Sequence, residues 1–279
     1  MNNNIMKISI IPTGGLCNRM RAMATGVAIA RHYNSKTTIY WNNCTGLKAD
    51  FKDLFKPINE KDVLIVENKE WIYNIKGTKG YLLRRPLLQM RFNQIYFNYS
   101  IYSSHETNIF TKIDGRKNND ILFVSCCPMC EQMDIHTLFV PTDEIQCDID
   151  KITSQYSEHT IGIHIRRTDS NESIKNSPID AFEKRMQAEL CKNVNTTFYV
   201  ASDDDEVKRY FKNKYPKNVI TIFQDTSRNS IEGMRFAVVD LFCLSKTKHI
   251  IGSFYSSYSH IASVLGGITV ECATNNGII

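Results

Sequence analysis

The second half of the chain alternates short apolar runs with segments whose apolar residues recur at helical spacing. The runs predict strands at Thr160–Ile165, Thr197–Ala201, Val219–Phe223, His249–Gly252 and Ile268–Glu271. The segments between them predict helices, in which apolar side chains return every three or four residues. Strands alternating with helices in this way indicate a parallel, Rossmann-like sheet.

Residues that start and stop helices support this pattern. Ser177 followed by Pro178 predicts an N-cap and a first helical residue, and Ser202 predicts the cap of the next helix. Gly266-Gly267 predicts the C-terminal end of the last helix.

The first half opens with the same alternation. Lys7–Pro12 predicts a strand, Gly14-Gly15 a tight turn, Asn18 to about His32 a helix, and Thr38–Trp41 a second strand. Ile121–Ser125 predicts a further strand near the end of this half.

The remainder of the first half is less regular. Residues 46–120 are rich in Lys, Asn and Tyr, carry turn signals from Gly77 to Gly80, and show no clear period. We place a polar linker across Asp148–His159. The predicted domains are therefore two Rossmann-like units, residues 1–150 and residues 151–279.

Composition adds limits. The chain has 279 residues, 42% of them hydrophobic, and a formal charge of +5. That charge suits an anionic ligand and is too small and dispersed to indicate nucleic acid.

No apolar run is long enough to span a bilayer, and Met1 to Met6 lack the blocks of a signal peptide, so we expect a cytoplasmic protein. Nine cysteines, an odd number that includes a lone Cys127-Pro128-Met129-Cys130, favour reduced thiols over disulfides or zinc.

The strongest chemical signal follows the strand Thr160–Ile165. His164-Ile165-Arg166-Arg167-Thr168-Asp169 brings two adjacent arginines to the end of a buried strand, where alternation points their side chains to opposite faces. Ligands of open α/β sheets bind beyond these strand ends, and a guanidinium there can grip a phosphate with two parallel hydrogen bonds. A structural Arg–Asp ion pair is the alternative, and the segment alone does not decide between them.

A second candidate is the glycine turn Gly14-Gly15-Leu16-Cys17-Asn18. It has neither the G-x-G-x-x-G pattern nor a P-loop ending. Arg19 and Arg21 follow in the first helical turn, where the helix dipole disfavours cations. Either both arginines are solvated and tolerate this cost, or a bound anion over the turn offsets it. Asn18 is either an N-cap or a ligand-facing amide.

Two further segments offer candidate ligands. The run Ser202-Asp203-Asp204-Asp205-Glu206 is a helix start with acids on the dipole, or an Asp203-x-Asp205 metal–diphosphate clamp, and we favour the reading without metal. Asp240 lies inside an apolar helix, where its carboxylate needs a partner. Downstream, Ser253 and Ser256-Ser257 lie at a strand-to-helix switch that suits either capping or phosphate binding.

These motifs together resemble the fucosyltransferase superfamily that includes the α1,6- and nodulation fucosyltransferases, the bacterial α1,2-fucosyltransferases and the protein O-fucosyltransferases. His164 through Asp169 is similar to its H-x-R-R-x-D motif, and Ala201 through Asp204 is similar to its second motif. Asp240 through Ser256 resembles its third motif, and the turn at Gly14 resembles its G-G-x-G-N segment, with Cys17 in place of the third glycine.

The resemblance implies an α/β fold of GT-B type, with two Rossmann-like domains facing across a cleft. It places residues 1–150 on the acceptor side and residues 151–279 on the side that binds the nucleotide-sugar. It implies inverting, metal-independent transfer of fucose from GDP-fucose to a glycan hydroxyl, with no further cofactor. By resemblance, Arg166 grips the diphosphate, His164 and Ser256 assist it, Asp240 faces the guanine, and Asp203 and Asp204 shape the pocket. Gly14, Gly15 and Asn18 of the glycine turn, and Arg19 after it, complete the predicted binding residues.

The general base is predicted from the loop after the arginines. It offers Asp169, which we expect to hold an arginine, and Glu172, which has no evident role in packing, so we choose Glu172.

Two alternative functions stay open: a GT-B transferase using another nucleotide-sugar, and a nucleotide-binding module without catalysis. Tyr81 through Leu88 is basic and apolar, which leaves open a weak peripheral contact with anionic lipid at the inner membrane, although we favour a helix packed on the first domain.

Overall fold

A computed structural model describes residues 6–67, 70–101, 108–114 and 120–274. The chain folds into two compact units. The first contains Met1–Thr142 and the short segment Arg228–Ile231, and the second contains Asp143–Ser227 and Glu232–Ile279. The signal-peptide expectation concerns Met1 to Met6, of which residues 1–5 lie outside the described part.

The first unit is built on a five-stranded parallel sheet in the order β3-β2-β1-β5-β4. Its strands are β1 Lys7–Pro12, β2 Lys36–Trp41, β3 Val63–Glu67, β4 Gln94–Phe97 and β5 Asp120–Ser125. Its helices are α1 Leu16–His32, α2 Phe51–Leu54, α3 Gly77–Arg91 and α4 Ile109–Asp114, with a 3-10 turn at Trp71–Tyr73.

The second unit is built on a second five-stranded parallel sheet in the order β10-β9-β6-β7-β8. Its strands are β6 Thr160–Ile165, β7 Thr197–Ser202, β8 Val219–Ile220, β9 Ile250–Gly252 and β10 Val270–Cys272. Its helices are α5 Asp143–Thr153, α6 Asn171–Asn176, α7 Ile179–Lys192, α8 Asp205–Lys214, α9 Ile231–Ser245 and α10 Ser257–Gly266.

Strand β6 is the centre of the second sheet and explains its continuous apolar sequence. All six of its residues are buried, because a central parallel strand has a neighbour on each edge and packing on both faces. Ile161, Ile163 and Ile165 pack in one core with Phe182 of α7 and Phe211 of α8. The predicted alternation of strands and helices, and with it the α/β fold of two Rossmann-like units, is confirmed.

Several local predictions need correction. Ser202 does not cap α8; the N-cap is Asp204, whose carboxylate accepts from the Glu206 amide. Ser177 is the C-cap of α6, and Pro178 is the N-cap of α7 instead of its first helical residue. The predicted strand at Val219–Phe223 shortens to β8, which pairs only with β7.

The linker predicted over Asp148–His159 is also wrong in its first part. Residues through Thr153 belong to α5, whose Ile145, Ile149 and Ile152 are buried at helical spacing while the acids face solvent. The polar composition therefore reflects the outer face of a helix.

All nine cysteines lie in the described ranges, and no two of them are joined by a disulfide. Among the helices the structure describes, none combines the length and hydropathy needed to cross a membrane.

Candidate functional site

The strand order of the second sheet reverses between the neighbouring parallel strands β6 and β9. The chain builds β6, β7 and β8 outward on one side and then returns to place β9 and β10 on the other. In open α/β sheets, the crevice beyond the carboxyl ends of the strands at such a reversal is where ligands bind. Arg166 follows β6, and Ser253 follows β9, so both stand at this point.

Arg166 is held at the strand end from two sides. Its backbone amide donates to Ser253 Oγ at 2.9 Å, and its Nε donates to Asp169 Oδ1 at 2.6 Å. The side chain keeps 23% of its surface exposed. The ion pair expected of Asp169 thus forms with Arg166, and it fixes the direction of a guanidinium that still reaches solvent.

Arg167 serves the fold. Its Nη2 donates to the Ser177 carbonyl at 2.7 Å, and its Nη1 lies 3.4 Å from the Ile174 carbonyl, which ties β6 to the junction of α6 and α7. Burial lowers the pKa of Arg167, against the opposing charges of Asp203 and Asp204. The two arginines therefore have different partners, Asp169 for Arg166 and the α6–α7 junction for Arg167.

Asp203 fixes the loop that carries the arginines. Its Oδ1 accepts from the Arg167 amide at 2.7 Å, and its Oδ2 accepts from the Thr168 amide and hydroxyl at 3.2 and 2.6 Å. Asp205, the other half of the metal-clamp reading, pairs with Lys208 at 2.8 Å. Both carboxylates therefore have partners within the protein. In the described ranges, no group of three or more Cys, His, Asp or Glu side chains converges as metal ligands.

His164 joins β6 to the start of α10. It is buried, its Nδ1 shares a hydrogen bond of 2.8 Å with Ser259 Oγ, and its ring stacks on Tyr258 at 4.7 Å. Ser256 Oγ lies 3.5 Å from the same nitrogen. His164 and Ser256, both predicted as binding residues, are thus brought together.

The loop from β9 to α10 presents an uncapped helix end. Ser256 is the N-cap of α10 but makes no side-chain capping bond, so the capping interpretation is not observed for it. Tyr255 before it has a φ of 56°, a left-handed conformation that is uncommon for a tyrosine. Ser173 Oγ donates to the Phe254 carbonyl at 2.8 Å, which holds this loop against α6.

Asp240 finds its partner inside the unit. It is buried on α9, and Tyr199 of β7 donates its hydroxyl to Oδ1. Burial raises the pKa of Asp240 to about 6, while the bond from Tyr199 and the charge of Lys208 pull it down. One oxygen is thus committed to the fold.

Glu172, the candidate base, lies on α6 next to Ser173. Its side chain is exposed, and its Oε2 accepts from Asn176 Nδ2 at 3.2 Å. Because Ser173 contacts the β9–α10 loop, the helix that carries Glu172 is anchored beside the loop that carries Ser256.

The glycine turn of the first unit has a different construction from the one predicted. The N-cap of α1 is Gly15, so Asn18 is inside the first turn and its side chain packs over Gly14, whose φ is +80°. Arg19 is buried: its guanidinium donates to the Gly14 carbonyl at 2.9 Å and to the Asn42 carbonyl at 2.6 Å. Arg19 is therefore neither solvated nor facing an anion, because its donors bind carbonyl groups of the protein.

Sequence reasoning missed several residues that shape these sites. Tyr199 and Ser259 hold Asp240 and His164, and Arg228 Nη1 lies 3.9 Å from the position that a Cβ on Gly15 would take. Ser259 could have been found from its spacing, since residues three apart, as Ser256 and Ser259 are, share one helix face. Nothing local to Tyr199 or Arg228 marks them.

Comparison with known proteins places this geometry in a fold class. No family model matches the chain, and no curated protein matches it in sequence. Solved structures with the GT-B fold do match, so the chain has a GT-B fold as the resemblance implied.

Several of the matching structures are fucosyltransferases. The NodZ α1,6-fucosyltransferase co-crystallised with GDP aligns over 93% of this chain and 92% of its own, with 16% identity and a TM-score of 0.61; NodZ has also been solved from Bradyrhizobium. FUT1 of Arabidopsis thaliana with GDP aligns over 98% and 71%, with 15% identity and a TM-score of 0.63. POFUT1 with GDP-fucose aligns over 98% and 99%, with 12% identity and a TM-score of 0.52. At these identities the likeness establishes a shared fold.

Proposed function

We propose that this protein is a glycosyltransferase that moves fucose from GDP-fucose to a hydroxyl of a glycan acceptor, with inversion and without a metal ion. The observation that carries the proposal is Arg166, which Asp169 and Ser253 hold at the topological switch point of the second unit. The structurally similar fucosyltransferases that were crystallised with GDP or GDP-fucose support this choice of donor.

Arg166 is assigned to the diphosphate. When the bond between the anomeric carbon and the phosphate oxygen breaks, GDP leaves with the electron pair, and its new charge must be met by donors already in place. A guanidinium pre-oriented by Asp169 provides such donors at little reorganisation cost. The amide end of α10 and the hydroxyl of Ser256 would add to the same field.

The remaining binding residues are assigned by position. Asp203 holds the arginine loop, and Asp204 caps α8 at the end of β7, so both form the wall of the donor site. Asp240 has one oxygen on Tyr199, so a guanine would bind through the other. His164 is assigned to orienting Ser256.

Glu172 is assigned as the general base. Inverting displacement requires a group that accepts the proton of the attacking hydroxyl on the face of the sugar opposite the leaving diphosphate. Glu172 is exposed, lies in the segment that follows the arginine loop, and belongs to a helix anchored beside the β9–α10 loop.

The test separates binding from transfer. Glu172→Gln should bind GDP-fucose as the wild type does but release GDP at least about a hundredfold more slowly in the presence of oligosaccharide acceptors, as expected for loss of a base. Glu206→Gln, an exposed glutamate on α8, is the matched control and should react normally. Wild-type turnover by Glu172→Gln would remove its assignment. GDP-fucose binding without turnover by the wild type against any acceptor would favour the module without catalysis.

A further inference from the structure

Helix α3 of the first unit has apolar residues on two opposite faces. Tyr81 and Leu88 are buried and pack with Ile11 and Leu122 of the sheet. On the other side the helix exposes Leu83 by 66% and Met90 by 82%. One face therefore attaches the helix to its unit and the other remains open to solvent.

The exposed apolar residues form one continuous stripe. At 3.6 residues per turn they cover an arc of about 140° that faces away from the buried pair. In order across that arc they are Leu82, Pro86, Met90, Leu83 and Leu87. Isolated exposed leucines are ordinary, but a continuous stripe on one helix marks a contact surface.

The charges around the stripe identify what it contacts. The helix has four basic residues, Lys79, Arg84, Arg85 and Arg91, and no acidic one. Arg85 lies beside the stripe on one flank, Arg84 and Arg91 lie on the other, and Lys79 lies at its amino-terminal end. Glu70 is the acid that faces this set, 3.5 Å from Arg91. An apolar stripe flanked by cations is the arrangement of helices that lie in the surface of an anionic membrane.

A tryptophan lies next to the same surface. Trp71 is half exposed, Arg84 donates to its carbonyl at 2.7 Å, and the Arg84 guanidinium lies 4.5 Å from the centre of its ring. Tryptophan is enriched at the level of lipid headgroups, where an apolar ring with a polar edge is stable. Trp71 therefore extends the exposed apolar surface beyond the helix itself.

We propose that α3 is a membrane-docking helix that lies in the surface of an anionic bilayer, with the stripe from Leu82 to Met90 among the acyl chains and the basic residues at the headgroups. A second copy of this chain is the weaker occupant. Two α3 helices placed stripe to stripe would bring Lys79 and Arg85 against like charges, with no acid on the helix to offset them.

The test is vesicle flotation of the full chain. Wild-type protein should float with vesicles in which phosphatidylglycerol replaces part of the phosphatidylcholine, and should float less as salt rises. The double variant Leu83→Gln/Met90→Gln should bind at least about tenfold more weakly, because two apolar side chains no longer enter the acyl region. Leu64→Gln, a similarly exposed leucine on β3, is the control and should bind normally.

A charge variant separates lipid from other occupants. Arg85→Gln should weaken binding about fivefold, whereas Lys184→Gln on α7 should not change it. Equal melting temperatures of all variants will establish that none acts by unfolding. The proposal is overturned if the wild type stays with the soluble fraction at low salt, or if the double variant floats as the wild type does. It is equally overturned if the wild type is a dimer that the double variant dissociates, since a second copy then covers the stripe.

Discussion

Arg166 combines two requirements that separate arginine from lysine. Its Nε donates to Asp169, and its planar fork carries further donors in a fixed geometry that a lysine ammonium, a single point charge, does not reproduce. We expect Arg166→Lys to lower kcat/KM for GDP-fucose by about a hundredfold to a thousandfold, the usual cost of a donor that acts on developing charge.

The measurement is steady-state GDP release. Arg209→Lys is the matched control, because that exposed arginine also pairs with an acid three residues away, Glu206, but lies on the outer part of α8. Full activity of Arg166→Lys would show that the diphosphate is bound elsewhere.

Asp240 should control how stability depends on pH. Because burial raises its pKa to about 6, above the ordinary 3.8, the folded state holds the proton more tightly than the unfolded state. The resulting stability is present in full below about pH 4 and is lost as pH rises through 6.

Asp240→Asn removes this titration. The free energy of unfolding of the wild type should therefore fall relative to the variant between pH 4 and 7, by up to about 3 kcal/mol. Urea titrations across this range measure the difference. A difference that does not change with pH would show that the carboxylate is already ionised at low pH.

At the level of single residues, the sequence shows where functional side chains lie better than it shows which atoms they contact. His164 Nδ1 and Ser256 Oγ lie 3.5 Å apart, and the Arg166 amide contacts Ser253 in the same loop as Ser256. These residues lie near the ends of neighbouring parallel strands, which end on the same edge of the sheet. Arg19 shows the opposite case. Its sequence position suggests a ligand, but its donors bind carbonyls on another segment of the chain, which no local pattern reveals.

At the level of elements, the junction between β6 and α6 depends on Asp203. One carboxylate accepts two amides and a hydroxyl from Arg167 and Thr168, and an amide side chain can accept on only one atom. Asp203→Asn should therefore destabilise the second unit by about 1–2 kcal/mol and raise the KM for GDP-fucose more than it lowers kcat.

Chemical denaturation and donor titration measure these two effects. Asp180→Asn on α7, whose carboxylate is exposed and paired with Lys184, should change neither quantity. An unchanged KM in Asp203→Asn would mean that the arginine loop keeps its geometry without the carboxylate.

Sequence patterns predict two kinds of element well: those with a single buried face and those that are buried on every face. Strand β6 has the bounds that its sequence predicts, and α7 begins at Ile179, one residue after the predicted first helical residue. A helix packed on the first domain is predicted over Tyr81–Leu88, and the structure extends it to Gly77–Arg91. Its start is missed because Gly77 and Gly80 are interpreted as turn signals, and apolar residues on two faces blur the helical period. Strands β3 and β4 are edge strands, half-buried along most of their length, and give no continuous apolar run.

At the level of the whole molecule, the sequence predicts two Rossmann-like units but not their strand orders. In each sheet the first strand of the unit, β1 or β6, lies in the middle, and the strand order reverses next to it. That reversal decides which strand ends meet, and it depends on long-range packing that local periodicity does not contain. The segment Arg228–Ile231, which leaves the second unit to join the first, is equally invisible in sequence.

The whole molecule should respond selectively to one nucleotide. A ligand that binds only the folded chain raises the free energy of unfolding by about 2.7 kcal/mol at a hundred times its Kd. GDP and GDP-fucose should therefore raise the melting temperature, while UDP and ADP at equal concentration should not. Since Asp203 and Asp205 already have partners in Thr168 and Lys208, we expect the same shift, and the same rate of transfer, with EDTA as with magnesium. Loss of transfer in EDTA with rescue by manganese would return these aspartates to the metal-clamp reading. Stabilisation by UDP in place of GDP would instead assign the site to another nucleotide-sugar.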